Sequence, residues 1–83
     1  MIVKVLAAQT DLTSATNVNL ATVVRLVNNS NNITVVTRKT SGGATIGSFS
    51  LIANSVTFAE KDATDTFEGG ATILAAKVAY NIS

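Results

Sequence analysis

Short runs of Val, Ile, Thr and Phe recur along the chain at intervals of roughly ten residues, separated by clusters of Asn, Ser and Gly. β-Branched and aromatic side chains suit a pleated, half-buried surface, so the pattern predicts short strands over 2–8, 21–28, 32–39, 44–52, 55–60 and 71–81. The punctuation falls at 28–32 (NNSNN), 40–43 (TSGG), 53–54 (AN) and 69–70 (GG), where residues accept positive φ or cap their own backbone. Residues 9–19 (QTDLTSATNVN) show no clear period and read as a polar loop or arm. The expected fold is all-β: a small antiparallel β-sandwich or partly open barrel of about six to seven short strands, one domain over 1–83.

Alternation with a period of two assigns faces. Leu74, Ala76, Val78 and Tyr80 lie opposite Lys77 and are expected inward. Phe49 and Leu51 alternate with Ser48 and Ser50, and Val56 and Phe58 with Thr57, so these too are expected inward. In 21–28 both parities are apolar: Val24 and Leu26 on one side, Val23 and Val27 flanking Arg25 on the other. Such a strand is either central in a sandwich or has its second face against a partner. One competing helix remains, ATILAAKVAY at 71–80, whose alanines favour helix. It lacks an N-cap box, follows Gly-Gly and alternates around Lys77, with Ile82 continuing the parity, which favours strand.

Size then narrows the picture. A domain of 83 residues buries only about 60% of the surface its unfolded chain exposes, so its stability is marginal. The chain has no Cys and no His, which removes disulfides and structural zinc as staples. Tight apolar packing or oligomerisation is left. Charged residues are 13% of the chain, about half the common level, and Thr, Asn and Ser make up about a third of it. A net charge of +1 offers no footprint for nucleic acid and favours association with other proteins. Lys4 interrupts the first apolar run, no run is long enough for a membrane helix, and a soluble protein, cytoplasmic when made, is expected. Three N-glycosylation patterns, at Asn28, Asn32 and Asn81, are what chance supplies in so Asn- and Thr-rich a chain.

Four of the five acidic residues, Glu60, Asp62, Asp65 and Glu68, crowd into FAEKDATDTFEGG at 58–70. Paired-carboxylate catalysis needs one acid raised by an apolar pocket and a cleft for substrate, and a sandwich this small has little room for one. The spacing Asp62-x-x-Asp65-x-x-Glu68 departs from the alternate-position ligands of an EF-hand. A solvated turn, with Lys61 weakly offsetting its neighbours and Phe67 plugging the core, is expected instead. TSGGATIG at 40–47 lacks phosphate-loop spacing and reads as a hairpin turn. Arg25, Arg38 and Lys39 would form a small basic patch if 21–28 and 32–39 paired as a hairpin, suited to an ion pair with a protein partner. With no His or Cys to activate a serine, no nucleophilic site stands out. The chain is thus expected to be no enzyme, with no catalytic, cofactor or metal residues. Its candidate protein-interface residues are Val23, Arg25, Val27, Arg38 and Lys39, together with the 9–19 arm.

The order of residues carries a resemblance. NLATVVRLVNNSNNITVV, followed by TIGSFSLIANSVTFAEKDATDTFEGGATILAAKVAY, resembles small virion structural proteins of tailed bacteriophages, particularly those of marine hosts (cyanophage type). The matching features are Val24, Arg25, Leu26 and Asn28; Gly47, Asn54 and Ser55; Lys61, Thr64 and Asp65; and the strand from Ile73 to Tyr80. They cover about residues 19 to 80, while the Asn-rich turn and Asn54-Ser55 stand where Gly is common in relatives. The resemblance implies a virion protein without catalytic residues, foremost a capsid decoration or cement protein on the lattice of the major capsid protein or another virion protein. It also implies a homo-oligomer, a trimer being common among decoration proteins of this type, with neither nucleic acid nor membrane as partner. The competing expectations are a neck, tail or fibre-base protein, and a small carbohydrate- or calcium-binding attachment module.

Overall fold

A computed structural model describes residues 2–81, apart from the side chains of Ile2, Tyr80 and Asn81. Eight strands follow one another: β1 (Ile2–Val5), β2 (Thr10–Leu12), β3 (Val23–Asn28), β4 (Thr34–Lys39), β5 (Thr45–Leu51), β6 (Val56–Glu60), β7 (Thr66–Glu68) and β8 (Gly70–Asn81). All pairings are antiparallel and no helix interrupts them. The larger sheet runs β1-β8-β3-β6, with β2 also on β8; the smaller runs β5-β4-β7. The fold is all-β, a small sandwich, and ATILAAKVAY lies inside the 12-residue strand β8.

The inner faces meet in one core. Val24, Leu26, Ile73 and Ala75 from the larger sheet pack with Val36, Leu51 and Phe67 from the smaller, and Phe49 and Ala59 close its margin. Phe67 is buried as expected. Two strands were not legible in the pattern. β2 lies within 9–19, and Leu12 and Val18 from that otherwise mostly exposed stretch are completely buried, so the expected loop or arm is anchored in the core at two points. β7 has only three residues, too few to show a period.

Some face assignments are reversed. Val56 and Phe58 point away from the core, 48% and 37% exposed, and Thr57 and Ala59 take the inner side. In β8 Ile73 and Ala75, which pair with Asn28 and Leu26, face the common core; Leu74 and Ala76 share the opposite face with Val27 and Arg25, although Ala76 and Val78 are buried as expected, 7% and 3% exposed. Lys77 pairs with Val24 on the inner face and stays half-buried, so this charge marked the wrong side. The expectation for Tyr80 and Ile82 falls outside the described side chains.

After β3 the chain changes sheet four times, and polar or conformational devices hold the crossings. At the first, the fully buried Asn28 donates Nδ2–H bonds to the carbonyls of Asn32 (2.8 Å), Leu51 (2.9 Å) and Ile52 (3.3 Å), while its Oδ1 accepts from Ser30 (2.8 Å). One amide thus ties the end of β3 to the end of β5. At the second, Asn54 adopts φ 55° and the Ser55 hydroxyl donates to the Ile52 carbonyl at 2.5 Å. The third carries Lys61. The fourth is Gly69, where an added Cβ would sit 3.3 Å from both Ile73 and Val36.

Candidate protein interface

Register places the sequence-derived interface residues. Residues directly opposite in an antiparallel pair share a face. On the outer face of the larger sheet, Val27 lies between Val56 and Leu74, and Arg25 between Phe58 and Ala76. Val23 is opposite Glu60, and Val5 is opposite Val78. The alternation along β3, half-buried then buried, separates Val23, Arg25 and Val27 from the buried residues Val24, Leu26 and Asn28. Val5 is 69% exposed. The outer face is therefore an apolar surface spanning four strands, with one guanidinium near its middle and carboxylates at its rim, Glu60 opposite Val23 and Asp11 opposite Leu74. Arg25 is in none of the ion pairs found among the described residues.

Arg38 and Lys39 are elsewhere. β3 and β4 belong to different sheets, so the hairpin that would have joined these cations to Arg25 does not form. Arg38 follows Val36 on the inner-face parity. Its Nε donates to Asp65 Oδ2 at 3.0 Å and its Nη2 bonds the same oxygen, with Asp62 Oδ2 3.6 Å away. Lys39 Nζ donates to Glu68 Oε1 at 2.6 Å. Both cations are satisfied internally by the acidic segment. Among the described residues no three His, Cys, Asp or Glu gather as a metal site.

Lys61 was expected on a solvated turn but is only 4% exposed. Its ammonium donates to the carbonyls of Ala21 (2.5 Å), Asp62 (3.2 Å) and Ala63 (3.2 Å). Burial pushes its pKa below the ordinary lysine value, opposed by the nearby Asp65 carboxylate. The amine stitches the β6–β7 crossing to the chain entering β3. Sequence offered no sign of this, since Glu60 and Asp62 on either side suggested an exposed charge run.

A groove of about 260 Å³ opens between β5 and β6, lined by Ile46, Gly47, Phe49, Ala59, Phe67 and the Arg38 side chain among others. It lies where the two sheets part at their open edges, and its floor is the aromatic margin of the core. Asn28, the first of the glycosylation patterns, is buried and bonded, so its amide is not available for modification.

No protein-family model matches this chain, and neither a curated protein nor a solved structure matches it.

Proposed function

We propose that this protein is a non-enzymatic structural component of a tailed-phage virion, a decoration or cement protein that docks the outer face of its larger sheet on the capsid lattice. The observation that carries the reading is that face: Val5, Val23, Val27, Leu74, Val56 and Phe58 around Arg25. An exposed apolar surface rimmed by polar groups is the signature of a protein contact, and an arginine at its middle that joins no ion pair among the described residues suits an acidic partner group. The resemblance of residues 19–80 to virion proteins supports the setting, and the low charge suits a protein held in a dense assembly. Binding the mature lattice alone would stabilise that lattice by mass action.

The test uses phage particles that carry the protein. Particles lacking it should lose infectivity faster on heating and at low salt. Adding back the wild-type protein should restore resistance, whereas Val27→Asp/Arg25→Glu protein, folded by circular dichroism, should not. Equal resistance with and without the protein would end the cement reading. Tens rather than hundreds of copies per particle would move it to the neck or tail.

A further inference from the structure

The larger sheet's face is one surface; a second lies at the edge of the smaller sheet. A sheet edge exposes a row of unpaired N–H and C=O groups, and proteins blunt it with charges, short strands, bulges or a covering segment. Here β7 is covered by Thr16, whose N–H and C=O exchange bonds with Phe67 at 3.1 and 2.9 Å. β1 and β2 are four and three residues long and carry Lys4 and Asp11. β6 carries Glu60.

β5, TIGSFSL, is different. It has seven residues without a charge or proline, mostly exposed, and pairs only with β4 among the described residues. Its one protective device is a bulge opposite Arg38 and Lys39 that leaves Gly47–Leu51 regular.

We infer that β5 pairs edge to edge with β5 of a second copy, antiparallel about a two-fold axis at Ser48. An antiparallel edge is self-complementary under such an axis, and the two smaller sheets would join into one of six strands. The sequence selects the register. With Ser48 opposite its own copy, Phe49 stands beside the partner copy's Gly47, on the inner face where β5 has no side chain. No atom lies within 4 Å of where a Cβ on Gly47 would be, and the groove opens there. A half-buried phenyl ring would be covered, and a glycine gap filled, twice per dimer; pairing of an aromatic with a cross-strand glycine is a known way to pin register. Shifting the axis to Phe49 would set the two rings against each other and put Gly47 beside the second copy's Leu51, whose side chain is already buried in its own core.

The inference needs only the purified protein and stands apart from the virion reading. The chain has no cysteine, so Ser48→Cys introduces a single thiol. Across the axis the two Cα atoms would be about 4.5–5.5 Å apart, within the roughly 4.4–6.8 Å that a disulfide spans. In Ile46→Cys the thiols would be offset by four residues, roughly 13 Å. Wild-type protein should show a sedimentation coefficient that rises with concentration towards a dimer. Oxidised Ser48→Cys should give covalent dimer on a non-reducing gel at least tenfold faster than Ile46→Cys, and Ser48→Lys should remain monomeric while folded by circular dichroism. Monomeric wild type throughout, equal cross-linking at both positions, or a Ser48→Lys protein that still dimerises would each overturn it.

Discussion

At the scale of single residues, buried polar groups decide more than the charge pattern suggests. Asn28 and Lys61 are both buried, and each is held by backbone carbonyls. Removing such a donor leaves carbonyls buried without partners, which costs about 1–3 kcal/mol. For Lys61 the ammonium is also desolvated, so its folded pKa lies below that of the unfolded chain. Below the folded pKa both states hold the proton and stability is flat. Between the lowered value and 10.5 the unfolded state holds more protons, so stability rises with pH. Urea unfolding of wild type and Lys61→Met from pH 7 to 10 should therefore give a difference that grows in favour of wild type as pH rises. Parallel curves would show that the amine is not desolvated.

At the scale of elements, the segment between β2 and β3 stores strain. Val18, Asn19 and Leu20 have φ of 53°, 58° and 59°, a left-handed turn that costs L-residues roughly 1–2 kcal/mol each. The fully buried Val18 and Ala21 hold it in place, and the Asn17 side chain accepts from the Leu20 N–H at 3.1 Å. Leu20 is 54% exposed, so its side chain gives back little packing. Leu20→Gly should stabilise the protein by about 0.5–1 kcal/mol after the entropic cost of glycine, whereas Asn19→Gly should change little, because Asn tolerates this conformation. A melting temperature unchanged or lowered in Leu20→Gly would mean that the turn is relaxed.

At the scale of the whole molecule, a single core cluster among the described residues joins both sheets. Stability for a chain of 83 residues is expected at about 4–12 kcal/mol, and truncating a buried phenylalanine costs about 3–5 kcal/mol. Phe67, 2% exposed, belongs to the shortest strand of the smaller sheet and touches Thr16 through two backbone bonds. Phe67→Ala should lose most of the stability in a single transition, detectable when near-ultraviolet and far-ultraviolet circular dichroism melt together. Separate melting of the two signals would show that the sheets are independent units. The same economy underlies the two proposed contact surfaces: a sandwich with so small an interior leaves apolar residues on an outer face and an uncharged strand at an edge.

The amino-acid sequence by itself determined the all-β class, six of the eight strands to within a few residues, and the two-faced nature of Val23–Asn28, because local propensity and period-two alternation act between near neighbours. It also brought Val23, Arg25 and Val27 forward as a surface. Tertiary structure alone decided which side of β6 and β8 faces inward, since that depends on which strand lies across the core. The same is true of Arg38 and Lys39, which the acidic segment pairs internally once β4 and β7 meet, and of Leu12 and Val18, which join the core shared by both sheets. Those outcomes rest on long-range contacts, whose energies appear only when the sheets close on one another. FAEKDATDTFEGG, in which an acidic site was most easily imagined, becomes the crossing that holds the two sheets together.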